Sequence, residues 1–265
     1  MMKVTTLPAW SATMPLYSDC FPPHILALTG DRSGDFSLGK DQDVLTKEQR
    51  QYLLSNFKTD LPEPVRLRQV HGDHIALVGD KLGTGPFEAD GALTRDARLP
   101  LVIRTADCLP VFLYDGVQGG IGLVHAGWRG VQKEIARRAV LLMRQHWHTD
   151  PEHITVAFGP SIRPCCYEVG AEFLGYFPRE VNVRGGKYYL DLPRVVRRQL
   201  VSAGVPEGNI RDGAVCTCCD HQYFSYRREG AAAGRLISLI MIKSKGEDAH
   251  VHHRVCNSKE RGRSQ

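Results

Sequence analysis

No apolar run in this chain is long. The longest is the seven residues "LISLIMI" (236 to 242), broken only by Ser238, whereas a helix needs about 20 to cross a hydrocarbon core. The amino-terminal "MMKVTTLPAWSATMPLYSDC" holds one lysine and no unbroken apolar stretch of the kind that forms the centre of a signal peptide. The expectation is a cytoplasmic protein with no membrane partner. Charge of one sign is scarce as well. Of the net +5, +3 falls in residues 243 to 265, where Lys243, Lys245, Arg254, Lys259, Arg261 and Arg263 outnumber Glu247, Asp248 and Glu260. What precedes that tail carries only +2 and offers no footprint for nucleic acid. Repeats and low-complexity linkers are also lacking, so nothing divides residues 66 to 242.

Cysteine, by contrast, is plentiful: Cys20, Cys108, Cys165, Cys166, Cys216, Cys218, Cys219 and Cys256. Eight cysteines suit a secreted disulfide scaffold only in a much shorter chain behind a signal peptide, so these read as mostly reduced thiols. With 42% hydrophobic residues in 265, the chain can bury a large core.

Residues 1 to 65 are weakly patterned and broken by Pro8, Pro15, Pro22 and Pro23, and only "LTKEQRQYLLSNF" (45 to 57) has helical periodicity. Beyond them, "LPLVIRTA", "PVFLYD" and "GGIGLVHA" read as three successive strands, rich in β-branched residues and bounded by Pro and Gly. After "HAGWRG" the period changes. Ile135, Ala136, Ala139, Val140, Leu142, Met143 and Trp147 share one helical face, which predicts a helix of about four turns starting soon after Gly130. "HITVAFG" reads as a strand, "LPRVVRRQLVSAG" as a helix closed by Gly204, and "LISLIMI" as a buried last strand. The reading is a single α+β domain over residues 1 to 242 with mixed β-sheets, followed by a polar, disordered tail over 243 to 265.

Three residues share a pattern that points to chemistry. His71 in "RQVHGDH", Cys108 in "TADCLP" and His125 in "VHAGWRG" each stand at a strand end beside a turn, and Gly72, Gly127 and Gly130 let the backbone approach a ligand closely. Two imidazoles and a thiolate form a sensible three-ligand zinc site with a fourth position open. The same residues also admit a bland reading, with Cys108 a small buried hydrophobe and the histidines core groups. A third reading is a hydrolase pair, His125 activating Cys108 with Asp107 or another acid orienting the base. Convergence of His71 on the same thiol separates these, because a nucleophile pair does not need a second imidazole.

Other motifs are weaker. Cys216 and Cys219 in "CTCC" have CxxC spacing, but no second pair stands at zinc-ribbon distance, and Cys165 and Cys166 are adjacent. "HVHH" (250 to 253) sits in the tail, and "HWH" (146 to 148) sits at the end of the long helix, where it reads as capping and packing.

The ordered motifs "RQVHG", "EADGALT", "TADCLPVFLYD", "GLVHAGWRG", "FGPSIRPCCYEVG", "YYLDLPRVV", "CTCC" and "YFSYRREGAAAGR" resemble the YfiH-like family, the laccase-domain proteins also called polyphenol oxidases or purine nucleoside phosphorylases. The resemblance is strongest from about Arg66 to Ile242. It implies a layered α/β/β/α sandwich with mixed sheets and a zinc site on His71, Cys108 and His125. It makes Gln69, Tyr226 and Arg227 candidates for substrate contacts. For catalysis, Asp90 is the first choice as general acid to the purine ring and Arg129 as the charge that neutralises phosphate.

The activities implied are phosphorolysis of adenosine, inosine, guanosine and methylthioadenosine, together with adenosine deamination, with nucleoside and phosphate as partners. A monomer or weak homo-oligomer is expected. A zinc amidase that removes L-serine from a UDP-muramic acid precursor, a Cys/His hydrolase and a non-enzymatic metal-binding protein are the alternatives. A copper-loaded polyphenol oxidase is another, although the H-x-H pairs needed for a trinuclear copper centre occur only in "HWH" and the tail; copper can still occupy an N/S site in vitro. The chain departs from the family at "GDFSLGKDQDVLTKEQRQYLL", which lacks the family's N-L-G turn and N-R pair. If that segment closes one wall of the pocket, substrate preference shifts.

Overall fold

The computed structural model describes residues 17–37, 45–57, 61–79 and 83–244. In chain order the elements are β1 (Ile25–Thr29), α1 (Lys47–Phe57), β2 (Leu67–Arg68), β3 (Ala76–Leu77), β4 (Phe87–Glu88), β5 (Gly91–Thr94), β6 (Leu101–Thr105), β7 (Leu109–Asp115) and β8 (Ile121–Ala126). They continue with α2 (Trp128–Gln132), α3 (Ile135–Trp147), β9 (Ile154–Phe158), β10 (Glu168–Val169), α4 (Phe173–Tyr176), β11 (Val181–Arg184), β12 (Lys187–Leu190), α5 (Leu192–Ser202), β13 (Ile210–Asp212), α6 (Tyr226–Glu229) and β14 (Leu236–Ile242).

The central strands are continuous apolar runs rather than alternating ones, the pattern of a sheet covered on both faces. Every residue of β7 and β8 is buried accordingly. They lie inside a six-stranded sheet of order β13-β9-β7-β8-β5-β3, antiparallel except for the β13–β9 and β3–β5 pairs at its two edges. An antiparallel sheet of order β1-β14-β6 stacks on one face. There Ile25, Ala27, Ile103 and Ile240 meet Phe112, Ile121, Leu123 and Ala157 in one core. The other face of the large sheet takes α3 and α5, with Ala136, Ala139, Val140, Met143, Val195 and Leu200 packed against Val111, Leu113, Val124 and Val156. The outer face of the small sheet takes α1 and the chain leading to it, with Phe36, Leu45 and Leu53 against Leu28, Leu239 and Met241. The layers are thus helix, sheet, sheet, helix, in agreement with the expected sandwich.

Two local expectations change. The helix predicted to start after Gly130 begins at Trp128 and breaks at Glu134, whose φ of 60° ends α2 before α3 starts. Gln199 on α5 takes the Val131 carbonyl at 2.7 Å, so the break leaves that buried acceptor satisfied. The strands of "LPLVIRTA" and "PVFLYD" are successive but not neighbours: Asp107, at φ 87°, turns the chain, and β6 pairs with β14 in the other sheet. "HWH" behaves as packing and capping. Trp147 fills the space above Gly120, and His148 closes α3 with its N–H on the Arg144 carbonyl.

At the amino end, Thr46 and Gln49 form a reciprocal capping box on α1, each backbone N–H donating to the other's side chain. Of residues 243 to 265, only Lys243 and Ser244 are described, and Lys243 is bonded through its backbone to His24 and through Nζ to Pro23. The rest of the expected tail, with "HVHH", lies outside the described residues. No helix among the described residues is long and apolar enough to cross a membrane.

Candidate metal centre and cleft

Strand register assembles the centre. β7 and β8 pair with Leu109 opposite Ala126 and Pro110 opposite His125, so Cys108 and Gly127 face each other just beyond the pair. A Cβ on Gly127 would stand 3.2 Å from the Cys108 sulfur and 3.3 Å from the His71 ring, and glycine is what leaves room for the triad. His71 arrives from the turn between β2 and β3 with φ 58°. α2 packs onto that turn, and Gly130 permits it, since a Cβ there would lie 2.5 Å from the Gly72 carbonyl oxygen.

One fully buried carboxylate fixes the arrangement. Asp90 accepts the backbone N–H groups of Val70 (3.2 Å), His71 (2.9 Å) and Gly72 (2.6 Å) and the Nδ1–H of His125 (2.8 Å). Having Nδ1 bound to Asp90 leaves Nε2 of His125 for Cys108 and any metal, the carboxylate–histidine arrangement common around metal ligands. The ligand atoms of His71, Cys108 and His125 lie within 4.8 Å of one another. The two imidazoles meet edge to face, with centroids 4.8 Å apart.

Electrostatics suit ligation. Burial pushes the Cys108 thiol up, but the charge and hydrogen bonds of His125 and His71 outweigh it and bring the value to about 6. Burial lowers His125, while the Cys108 thiolate and Asp90 raise it to about 9. A preformed thiolate beside two imidazoles is a soft, mixed N/S donor set that fits a zinc-class ion. All three donor residues line the adjoining cleft.

That cleft measures about 600 Å³, in the range of small-molecule sites, roughly 300–1,000 Å³. His71, Cys108 and His125 line it together with Trp128, Tyr167 and Tyr226. Arg68, Arg104, Arg129, Arg227 and Arg235 give its walls a positive character. The Arg129 guanidinium lies 4.4 Å over the Trp128 ring, and Arg227 lies 5.5 Å over Tyr167. Gln69 also lines the cleft, but its amide is spent on backbone: it donates to the Arg104 carbonyl at 2.9 Å and accepts the Arg104 N–H at 2.8 Å.

Several sequence expectations are corrected here. Asp90 is not placed as a general acid. It is absent from the cleft lining, four N–H groups occupy its oxygens, and those bonds, with His125, hold it below the ordinary carboxylate range against the effect of burial. Asp107 does not orient His125. It accepts the hydroxyls of Thr217 (2.6 Å) and Ser225 (3.1 Å) and the Arg227 N–H (2.6 Å), tying α6 to the mouth of β7. None of the described residues of the divergent 34–54 segment lines the cleft; the nearest link is Asp35, which accepts the Arg235 backbone N–H at 2.9 Å. Arg104, Arg235 and Tyr167 were missed. Arg104 lies inside a strand run and Tyr167 beside the paired cysteines, and neither position advertises a cleft.

The family described as multi-copper polyphenol oxidoreductase laccase matches residues 33–243. A purine nucleoside phosphorylase of Bacteroides thetaiotaomicron is 34% identical over 211 residues, covering 72% of this chain and 78% of its own. The adenosine deaminase RL5 of an unknown prokaryotic organism is 34% identical, covering 77% and 84%. Among solved structures, the hypothetical protein YfiH of Bacillus licheniformis superposes with a TM-score of 0.75 at 28% identity over 88% of this chain and 97% of its own. YlmD from Geobacillus stearothermophilus gives 0.74 at 30% identity over 84% and 94%. With the family match spanning most of its length, this chain belongs to the multi-copper polyphenol oxidoreductase laccase family, whose relatives include enzymes named for purine nucleoside chemistry.

Proposed function

We propose that this protein is a zinc-dependent purine nucleoside phosphorylase that also deaminates adenosine. One observation carries the reading: the His71–Cys108–His125 group opens into a cleft walled by several arginines and aromatic rings. A metal with an open position beside a cationic surface suits a substrate pair of phosphate and nucleoside. Bound zinc supplies Lewis acidity there, enough to activate water or hold an anionic oxygen.

The chain's own residues supply the remainder. Arg129 and Arg227 bind and orient phosphate with charge-assisted hydrogen bonds. Trp128 and Tyr226 present flat faces to a purine. Asp90 is a positioning residue that keeps His125 in one tautomer. Burial, with the charges of Cys108 and Asp107, raises the Tyr167 phenol far above its ordinary value and keeps it protonated, so it can donate to a developing base anion.

A nucleophilic Cys108 is the second reading, because the Cys108–His125–Asp90 geometry matches a thiolate, base and orienting acid. The presence of His71 within the same 4.8 Å favours metal ligation instead. The test combines elemental mass spectrometry with chromatography of adenosine and inosine, with and without phosphate. Zinc bound by the triad and phosphate-dependent release of free base are expected. Zinc without nucleoside turnover overturns the substrate assignment and turns attention to amides, while activity that survives metal removal and is lost in Cys108→Ser supports the nucleophile.

A further inference from the structure

A second constellation stands apart from the triad. Cys165 and Cys166 follow β9 on one loop, and Cys216 and Cys219 lie on the loop after β13. Roughly 50 positions of sequence separate the two pairs, yet the four sulfurs all lie within 4.8 Å of one another. Cys165 and Cys166 approach Cys219 at 3.5 and 3.2 Å. No disulfide joins them. We propose that Cys165, Cys166, Cys216 and Cys219 bind a single zinc ion in a closed tetrathiolate site that staples the two loops together.

The dimensions favour one ion. Tetrahedral Zn–S bonds of 2.3 Å set the sulfurs about 3.8 Å apart, and separations of 3.5 and 3.2 Å, with all four sulfurs inside 4.8 Å, fit a single central ion. An iron–sulfur cluster spreads its thiolates over several irons, and these sulfurs are drawn too close together to enclose one.

Backbone N–H groups surround the cluster: those of Cys219, Arg163 and Cys218 donate to the Cys216 sulfur. Four thiolates around a divalent ion leave a net charge of −2, and guanidinium groups ring the same loops. Arg163 donates to the Val215 carbonyl at 3.1 Å, Arg184 to Pro164, Arg227 to Cys166 at 3.5 Å, and Arg228 to Thr217 and Cys218 at 2.9 Å. These bonds fix the loop backbones that present the sulfurs and place positive charge beside them.

The staple matters because both loops build the cleft. Tyr167, which lines it, follows Cys166 directly. Thr217, between Cys216 and Cys218, donates to Asp107, another lining residue. A closed four-ligand ion has no open position and no part in the reaction; it holds the wall.

The test needs no activity. Full-length protein produced in zinc-supplemented medium is assayed by elemental mass spectrometry beside two double variants, Cys216→Ser/Cys219→Ser and His71→Ala/His125→Ala. Two zinc ions per chain are expected in the parent and one in each variant. Cobalt substitution should give an intense sulfur-to-metal charge-transfer band that survives His71→Ala/His125→Ala and falls in Cys216→Ser/Cys219→Ser to the weaker contribution of the single Cys108 thiolate. If the cysteine variant fails to fold, the histidine variant decides alone, since it must keep one tetrathiolate ion. A parent holding a single zinc that His71→Ala/His125→Ala removes entirely overturns the proposal. So do four thiols of the zinc-loaded parent that alkylate as fast as in denaturant, or that appear as two disulfides in the intact mass.

Discussion

The two sulfur-containing constellations are built differently. Cys108 and His125 stand at the ends of strands fixed by a buried β-ladder, His71 comes from the turn after β2, and one carboxylate with no solvent exposure ties that turn to His125. The four cysteines hang from loops with no strand pairing beyond an isolated bridge between Ser161 and Cys216, and two of them are exposed. The first group offers three donor atoms beside the cleft, the second four on the two loops. A rigid sheet can hold an incomplete coordination shell ready for substrate, whereas loops need a complete one to be held themselves.

The sharpest way to test that division is to remove a strand-end ligand. His125→Ala is expected to reduce nucleoside turnover to background and to strip the triad's metal, with thermal unfolding close to that of the parent. Circular dichroism and metal analysis check it, and collapse of the fold along with the metal breaks the comparison.

On the loop side the largest effect is expected at Asp212, which holds Arg163 through two 2.8 Å bonds where β13 ends. Both side chains are mostly buried, at 10% and 17% exposure. Asp212→Asn strands the guanidinium and should cost about 3 kcal/mol, seen as a lower urea midpoint. Burial raises the Asp212 carboxyl, but the hydrogen bond and charge of Arg163 outweigh this and lower it below its ordinary value. The stabilisation is therefore complete above the ordinary carboxylate pKa of about 3.9 and is lost as pH falls through the lower folded value. Part of the acid-side decline in melting temperature should vanish in the Asn variant.

The contrast also explains what the sequence disclosed. β7 and β8 are legible as apolar runs, and the ligands at their ends are marked by Cys108 before Pro110 and His125 before Gly127. Local grammar therefore singled out the three residues, which the fold brings together, while leaving a metal site, a nucleophile pair and core packing as open readings. The role of Asp90 was hidden, because nothing in "EADG" tells that its carboxylate reaches back across 18 to 20 residues to the His71 turn and forward to His125. The four-cysteine group was hidden for a related reason. Neither an adjacent pair nor a lone CxxC has zinc-ribbon spacing, and only the approach of the β9 and β13 loops makes them one cluster. Likewise the pairing of β6 with β14 rests on contacts more than 130 residues apart, which periodicity does not encode.

Asp90 gives the next smaller effect. Asp90→Asn preserves the shape but replaces one acceptor oxygen with a donor among four N–H groups. Metal affinity or turnover should fall about 10- to 100-fold, the usual effect of losing such a partner. Rescue by high zinc would show that positioning, not proton delivery, is what was lost. A pH–rate profile that loses its alkaline limb in Asp90→Asn would instead return the carboxylate to the role of general acid.

The smallest expected change sharpens the comparison most finely. Gly127 has φ −75° and ψ 160°, an extended conformation open to any residue, so Ala causes no backbone strain. The added carbon would nevertheless stand 3.2 Å from the Cys108 sulfur and 3.3 Å from His71, which must then give by a few tenths of an ångström. Because the β7–β8 ladder resists such a shift, Gly127→Ala should weaken zinc at the triad by about 1 kcal/mol, or about fivefold, in competition with a chelator. The cysteine site should keep its metal unchanged. Equal weakening at both sites would mean that the cleft wall moves as one body, and that the strand-held and loop-held sites are not mechanically separate.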